Sequence, residues 1–560
     1  MLDPRTASPL PRPAAPDGEA GPLDERLYDL VENRFARLIG DNPILGTAIG
    51  LHDDDDRLGD GGRDQVLGEL EAERAHLAEV EAVDPSGLSS TARFERELEL
   101  HNVRRAIFDT DVLRFWERRS FALDAVGDGL FLLFARDHAP LAERLAAISG
   151  RLEGVATYLE ESKSRAAVPQ VRRWQRIELE TAAELPAFFD ELVAAGEHEL
   201  APAEQRRLVR ASDAAKVAVD LYAGWVESTL ADGVDDWPIG RERHDAMVAL
   251  RAFDGLSSDD ILELGWQRLA EEHAGRAAAA REIDPDASED DVIDRVKSDQ
   301  PASFEAALGA YRDAMLRSRQ HVIDHDLMSV PSDERIDVVE TPEYLRNVVP
   351  FAAYFEPAAF DPSPKGIYIV TPSVDHDPNA MREHNFASIS NTSIHEAYPG
   401  HHLQLDTARR NASLSRLLTD APEFVEGWGM YSELLMREHG FDDDPKFRLI
   451  MHTDAIWRAC RIILDVRMHR GELTAEEATD FLVEHTRFER PNAAAEVQWY
   501  TYRPTYPLSY LLGRTLLLGL REDEQRRLGA DFSLKGFHDA LLRNGSLPIS
   551  FHRRLLAAQA

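Results

Sequence analysis

His395-Glu396-Ala397-Tyr398-Pro399-Gly400-His401-His402 combines the residues of a metal-binding helix with a proline and a glycine that would interrupt one. Two histidines at i and i+4 share one helix face and can bind one zinc ion, with a glutamate beside the first histidine as general base. Here the fourth position after His395 is Pro399, which offers no ligand atom. Seven helical residues span about 10 Å of axis, too far for two Zn–N bonds of about 2.0–2.1 Å. A regular helix would therefore fail as a zinc site.

The Pro399-Gly400 pair predicts an irregular backbone at this point. Proline removes a helical hydrogen bond and clashes with the preceding turn, while glycine tolerates unusual dihedral angles. A bulge can loop out the extra residues and return His401 or His402 to the ligand position, and such bulges often lie at functional sites. His401 needs the smaller insertion, but the sequence leaves the choice open. The remaining histidine would contact substrate or orient a ligand.

A third ligand is expected, because catalytic zinc commonly keeps three protein ligands and one open position. The segment Glu423–Glu433 supplies Glu426 and Glu433 two helical turns apart on one face, so only one of them should contact the metal. Glu426 has the better spacing, since about 25 residues after His401 allow the first helix to end and an antiparallel helix to return. Glu433 is then predicted to orient a ligand histidine.

The segments HEAYPGHHLQ and FVEGWGMYSELL resemble the bacterial family of unknown function DUF885, whose members carry an HExxPGHHxQ motif. The resemblance extends through RACRIILDVRMHRG at 458–471 and through 532–547. More distantly, the arrangement is similar to helical zinc metallopeptidases such as thimet oligopeptidase, angiotensin-converting enzyme and carboxypeptidase Taq. That resemblance implies a large, mainly α, zincin-like metallopeptidase fold around a central cleft. It also implies zinc, and Glu426 rather than Glu433 as its ligand.

The segment 499–510 is rich in aromatic residues and departs from the family pattern. The family's Pro-Gly-Gln-Ala reads Pro-Thr-Tyr-Pro at 504–507, so a different substrate preference is expected. The related peptidases use tyrosines near this point of the chain to stabilise the oxyanion, which makes Tyr506 and Tyr510 the candidates. Arg503 could pair with a substrate carboxylate, and Tyr500 is a further predicted substrate contact. The alternative is aromatic core packing.

Asp465 and His469 lie four residues apart on another predicted helix. The family resemblance suggests a carboxylate–histidine unit near the site, with Asp465 as an orienting residue and His469 as a substrate contact. An ordinary pair on a helix surface is the alternative interpretation.

Most of the chain has helical periodicity, and one region does not. Helical patterns are predicted from residue 24 to 38 and at 64–82, 91–108, 141–162, 203–230, 259–281, 303–323, 446–470, 475–487 and 507–521. Residues 335–340 alternate with period two, and 366–372 are β-branched and bounded by glycine and proline. A small β-sheet is therefore expected beside the cleft, where an edge strand could pair with a substrate backbone. The alternative is a structural ribbon that caps the helices.

Composition limits the function classes. The 63 basic and 101 acidic residues give a formal charge of −38, which disfavours nucleic acid as a partner. No apolar run is long enough for a membrane span, and no signal peptide is apparent, so a cytoplasmic protein is expected.

Residues 1–24 are rich in proline and alanine and are predicted to be a disordered arm, with one helical catalytic domain of two lobes over 25–560. The acidic run 53–56 is interpreted as a solvated loop.

These features predict a zinc-dependent peptidase that cleaves short peptides, with Glu396 as general base. Manganese or cobalt could replace zinc at nitrogen and oxygen ligands. Two alternatives stay open: a metal-dependent amidase acting on a non-peptide substrate, and a non-catalytic binding protein that keeps a degenerate site. For the motif itself, the alternative is that its polar residues form a buried hydrogen-bond network that holds no metal.

Overall fold

A computed structural model describes residues 12–15, 21–341, 346, 349, 351–361, 363–372 and 380–558 of the 560-residue chain. The helices of the first half are α1 (Asp24–Asp41), α2 (Pro43–Ile49), α3 (Arg63–Glu81), α4 (Ser90–Ile107), α5 (Phe115–Arg118), α6 (Ala122–Ala135), α7 (Leu141–Ser162), α8 (Arg172–Gly196), α9 (Pro202–Thr229), α10 (Arg241–Arg251) and α11 (Ser258–Ile283). Those of the second half are α12 (Glu289–Lys297), α13 (Phe304–Asp324), α14 (Phe386–Glu396), α15 (His401–Ala408), α16 (Leu414–Leu417), α17 (Pro422–Glu438), α18 (Pro445–His469), α19 (Ala475–Thr486), α20 (Arg490–Tyr500), α21 (Ser509–Leu528), α22 (Leu534–Arg543) and α23 (Ile549–Ala558).

The chain forms two compact units that each draw on several segments. The first unit contains residues 1–237, 358–364 and 412–418, and the second contains 238–357, 365–411 and 419–560. The predicted division into an arm over 1–24 and one two-lobed domain over 25–560 stays a prediction. Residues 1–11 and 16–20 of that arm lie outside the described part.

The first unit is a set of packed helices. One apolar cluster joins α1 to α3 and α4 through Leu27, Val80 and Leu100, all buried. A second cluster packs Phe35 of α1 against Leu414 of α16 and Phe360. The segments 358–364 and 412–418 thus belong to this unit because their apolar side chains complete its core.

The second unit combines helices with the predicted sheet. Strands β1 (Ile336–Glu340), β2 (Ala352–Phe355) and β3 (Gly366–Val370) form a sheet in the order β1-β3-β2. β1 pairs parallel to β3 with Ile336 opposite Gly366, and β2 pairs antiparallel to β3 with Ala352 opposite Val370. The first and third strands match the prediction, whereas β2 was not predicted.

The mainly helical class with a small sheet is confirmed, and the ten predicted helical segments correspond to α1, α3, α4, α7, α9, α11, α13, α18, α19 and α21. Local sequence signals explain where several helices begin. α18 begins at Pro445, directly after the capping residue Asp444, and α11 begins with a capping box formed by Ser257 and Asp260. Among the described residues, no helix is both long and apolar enough to cross a bilayer.

The interpretation of 53–56 as a solvated loop was wrong for Asp55, which is buried in the first unit. His52 Nδ1 lies 2.8 Å from Asp55 Oδ2, and His52 Nε2 lies 2.9 Å from Asp361 Oδ1. Burial disfavours the protonated ring, but the bonds to Asp361 and Asp55 outweigh it and raise the pKa of His52 to about 9. His138 stacks on His52 with 3.7 Å between ring centroids and 5° between planes.

This group, with Asp55 between the two histidines, has its donor atoms within 4.8 Å of one another, as a metal site would. However, the nitrogen lone pairs of parallel rings run side by side and do not converge on one point. Both nitrogens of His52 also face carboxylates already. The group is therefore best described as an ion-pair network that joins three segments of the first unit.

The raised pKa of His52 predicts a pH-dependent stability. Since the folded pKa of about 9 exceeds the unfolded value near 6.5, the stabilisation is fully present below about pH 6.5 and is lost as pH rises through about 9. Melting temperatures of the unmodified protein and of His52→Gln, measured with a chelator present, should differ most at pH 6 and least at pH 10. The exposed His198→Gln serves as control. A difference that stays constant with pH would contradict the ion-pair description.

Candidate metal centre

The chain breaks its helix immediately after His395 and Glu396. Asn385 caps the start of α14, its Oδ1 accepting from the Ser388 N–H at 2.9 Å, and the helix ends at Glu396. The Gly400 N–H then donates to the Ile394 carbonyl at 3.0 Å, and α15 begins at His401. A Cβ atom on Gly400 would lie 1.8 Å from the His395 carbonyl oxygen, so only glycine fits. The predicted bulge is thus a tight turn between two helices.

This turn brings His401 opposite His395, with Glu426 of α17 between them. The Glu426 Oε2 atom lies 3.6 Å from His395 Nε2 and 3.4 Å from His401 Nε2. The two rings are nearly perpendicular, at 88°, with centroids 4.7 Å apart. Ligands of a tetrahedral zinc ion with bonds of about 2.0–2.1 Å are about 3.3 Å apart. Two imidazoles and one carboxylate at these separations fit a divalent cation.

Electrostatics also favour a cation at this point. Burial disfavours ionisation of Glu426, but its contacts with His395 and His401 outweigh burial and hold its pKa well below the ordinary value. For His395, burial is similarly outweighed by Glu426 and Glu433, which raise its pKa to about 10. Glu426 is therefore ionised, and in the absence of metal a proton on His395 takes the position of the positive charge.

Glu433 lies behind His395, on the side of the ring away from Glu426. Its Oε1 atom is 2.7 Å from His395 Nδ1, and its Oε2 atom accepts from Asn391 Nδ2 at 3.0 Å. Asn391 also donates to Asp454 of α18 at 2.9 Å, and burial raises the pKa of Asp454 to about 6. A carboxylate on Nδ1 fixes the proton there and leaves Nε2 as the ligand atom.

Glycines allow the helices to approach the site closely. A Cβ atom on Gly429 of α17 would lie 2.6 Å from the His395 ring, so the imidazole packs directly on the helix backbone. A Cβ atom on Gly427 would lie 2.6 Å from Gly513 Cα, so α17 and α21 also pack backbone to backbone. That second approach brings the N-terminal end of α21 close to Glu426.

His402, the other predicted ligand, points away from this group. Its Nε2 atom lies 2.9 Å from Glu334 Oε2, and its Nδ1 atom lies 2.8 Å from the Tyr354 hydroxyl on β2. Successive helical residues point about 100° apart, so one turn cannot aim both histidines at Glu426. With both nitrogens engaged and the side chain fully buried, His402 connects α15 to the sheet.

Glu396 is half-buried beside His395. It makes no hydrogen bond or ion pair with the described residues, although its charge reaches Tyr311, Tyr368 and His395. His395, His401 and Glu426 are called the donor group below, because each offers one atom to a metal ion. A carboxylate beside this group that no described residue engages is able to accept a proton from a bound molecule.

Tyr506 contacts the donor group directly. Its hydroxyl donates to Glu426 Oε1 at 2.9 Å, and the charge of Glu426 together with burial raises the Tyr506 pKa above its ordinary value. The hydroxyl is therefore a stable donor. The Tyr510 ring lies 6.2 Å from the Tyr506 ring, and burial raises the Tyr510 pKa as well.

The three predicted substrate contacts lie elsewhere. Tyr500 is fully buried and its hydroxyl donates to Glu496 at 2.8 Å, and His469 is fully buried with its Nε2 3.0 Å from the Tyr500 carbonyl. These positions contradict a substrate-binding role, because both side chains are enclosed by protein. Arg503 is exposed, with its guanidinium 5.9 Å from the Tyr502 ring centroid.

Asp465 forms its hydrogen bonds with His244 and Thr505, although its charge also acts on His469, so the carboxylate–histidine contact involves a different histidine from the one predicted. Its Oδ1 lies 2.9 Å from His244 Nε2, and its Oδ2 accepts from the Thr505 N–H at 2.8 Å. Thr505 has a φ of +64°, a strained value for a β-branched residue. Asp465 thus holds the backbone next to Tyr506, which is an orienting role at a different point from the one predicted.

Sequence reasoning missed Asn391, Asp454, Glu334 and Gly429. Asn391 precedes His395 by one helical turn, so helix spacing could have found it. Glu334 and Asp454 come from distant segments that no local pattern marks, and Gly429 stands in the quoted segment FVEGWGMYSELL without any local sign of its contact with His395.

Two solved structures share this fold. One, with 21% identity and a TM-score of 0.77, covers 95% of this chain and 99% of its own and comes from Shewanella oneidensis. The other, with 18% identity and a TM-score of 0.81, covers 96% and 99% respectively and comes from Colwellia psychrerythraea. Both are described as a putative lipoprotein, the first also as of unknown function. At these identities the likeness shows the fold alone.

No curated protein of known function matches the chain. Residues 43–556 match the family described as bacterial protein of unknown function, DUF885. This match spans nearly the whole chain and includes the donor group, the turn before His401 and the Tyr506 segment. The chain therefore belongs to the bacterial family DUF885.

Proposed function

We propose that this protein is a metal-dependent hydrolase, with zinc as the expected ion, that cleaves short peptides in the manner of the helical zincin-like peptidases. The observation that carries the proposal is the convergence of His395 Nε2, His401 Nε2 and Glu426 Oε2 beside Glu396, a carboxylate that makes no hydrogen bond or ion pair with the described residues. Three protein ligands leave a position for water or substrate.

Each residue has a defined task in this proposal. A bound divalent cation would polarise the substrate carbonyl and make water more acidic. Glu396 takes the proton of the attacking water and delivers it to the leaving amine. Tyr506 donates a hydrogen bond to the oxyanion that develops at the carbonyl, and Tyr510 stands next to it. Glu433 holds the His395 ring so that its Nε2 faces the centre.

Manganese and cobalt also suit this donor set, and elemental analysis combined with an anomalous map at the metal edge identifies the ion. The cytoplasmic location stays a prediction. The description of two similar structures as lipoproteins applies to those proteins.

The ligand assignment predicts which variants lose metal. His395→Ala, His401→Ala and Glu426→Gln each remove one donor and should weaken metal binding by more than about 100-fold. His402→Asn should retain the ion, because His402 faces Glu334 and Tyr354. Competition titration with a chromogenic chelator measures the affinities, and circular dichroism checks folding. Loss of metal in His402→Asn together with retention in His401→Ala would reverse the assignment.

Glu396→Gln tests the chemistry. The amide cannot accept the proton, so kcat should fall by about 10²–10⁴-fold while metal content stays unchanged. Hydrolysis is followed by amine release from a pool of short peptides, in parallel with a panel of small amides. The exposed Glu476→Gln is the control. Undiminished hydrolysis in Glu396→Gln would remove the general-base role, and metal binding without any hydrolysis would favour a binding protein.

Tyr506→Phe removes only the hydroxyl that bonds to Glu426. Loss of an oxyanion donor should lower kcat by about 10²–10³-fold with little change in KM. Metal content is measured on the same samples, and Tyr502→Phe is the matched control. If activity falls only in proportion to metal content, Tyr506 acts by holding Glu426 and is not an oxyanion donor.

A further inference from the structure

A stripe of charged residues runs along α18 beside the candidate centre. Asp454, Arg458, Arg461 and Asp465 follow one another at spacings of four, three and four, which places them on one helix face. Asp454 contacts Asn391, and Asp465 holds the Thr505 backbone. The stripe therefore passes from the residues behind His395 to the segment that carries Tyr506.

The two arginines of this stripe differ in their partners. Arg461 is buried and paired: its Nη2 donates to Glu496 at 2.9 Å and its Nε donates to the Tyr500 hydroxyl at 3.2 Å. Arg458 forms no ion pair with any described residue. Its only hydrogen bond to the described part of the chain runs from Nη1 to the Asp454 carbonyl at 3.4 Å, and its buried Nε has no partner there. A half-buried guanidinium with donors to spare suits an anion that comes from outside the protein.

The surroundings of Arg458 connect it to the candidate centre through intervening residues. Its guanidinium carbon lies 3.8 Å from the Trp457 ring centroid and 6.0 Å from that of Tyr510. The Tyr510 ring in turn faces Tyr506, whose hydroxyl bonds Glu426. On the opposite side, Asp454 leads through Asn391 and Glu433 to His395. Arg458 is thus linked to the donor group from both sides through chains of direct contacts.

We propose that Arg458 binds the C-terminal carboxylate of the substrate, so that the centre acts on short peptides that end in a free carboxylate. This inference rests on the proposed peptidase function. A guanidinium binds a carboxylate through two parallel hydrogen bonds, and stacking on Trp457 fixes the orientation of the Arg458 guanidinium. Arg503 is exposed and lies 5.9 Å from the Tyr502 ring centroid, against 3.8 Å for Arg458 and Trp457, so the carboxylate contact expected at Arg503 from the sequence is assigned to Arg458.

The test uses two pools of N-acetylated random pentapeptides, one with free C-terminal carboxylates and one with C-terminal amides. Blocked N-termini make every new amine a product of cleavage. The zinc-loaded protein should cleave the acid pool about 10- to 100-fold faster than the amide pool, as expected for loss of a charge-assisted bidentate contact. Arg458→Gln should lower the acid rate by that factor and leave the amide rate within about twofold. Arg458→Lys keeps the positive charge but cannot form two parallel hydrogen bonds, so its rate on the acid pool should lie between the rates of the unmodified protein and of Arg458→Gln.

Arg467→Gln on the same helix is the matched control, because Arg467 pairs with Glu472 at 3.5 Å and should leave both rates unchanged. Equal cleavage of both pools by the unmodified protein would overturn the inference, a comparison that requires no variant to fold. An equal loss on both pools in Arg458→Gln would overturn it too. Cleavage of neither pool by the metal-loaded protein would instead refute the peptidase function, and the inference with it.

Discussion

The whole site depends on the turn at Ala397–Gly400, which folds the chain back onto the last turn of α14. Gly400 lies so close to the carbonyl oxygens of Ile394 and His395 that no side chain fits there. As a result, His401 starts a new helix while it still faces His395. An interval of six residues, too long for one ligand pair on a straight helix, thereby becomes a pair of nitrogens on either side of one carboxylate oxygen.

Close helix packing provides the rest of the geometry. Gly429 lets the His395 ring lie on the backbone of α17, and Gly427 with Gly513 lets α21 approach the same helix. Glu426 and Tyr506 can therefore hydrogen-bond, although 80 residues of chain separate them. Rigid helices hold these side chains in position better than loops would, because each side chain is fixed by the packing of a whole helix.

Charge pairing explains why so many ionisable residues are tolerated in this interior. Glu433, Asp454 and Asp465 each have a defined hydrogen-bond donor, and Arg461 has Glu496. Buried charges are costly unless they are paired. Among the described residues near the donor group, Glu396 makes no hydrogen bond or ion pair and Arg458 makes no ion pair, and these are the residues that the proposals assign to water and to substrate.

By itself, the sequence determined many of the helices, two of the strands and the residue types of the candidate site. Helical periodicity located α1, α3 and α18, and the motif with its proline and glycine indicated a broken helix with histidine and glutamate as candidate ligands. Local patterns reach only a few residues along the chain, so they located neither β2, which is ordered by pairing with β3, nor α8, whose pattern contains Pro186. Tertiary structure alone decided that His401 faces Glu426 while His402 faces Glu334, and that Asp465 pairs with His244. These outcomes depend on how distant helices pack, since the direction of a side chain is fixed by the helix that carries it but its partner is fixed by the helix that lies opposite.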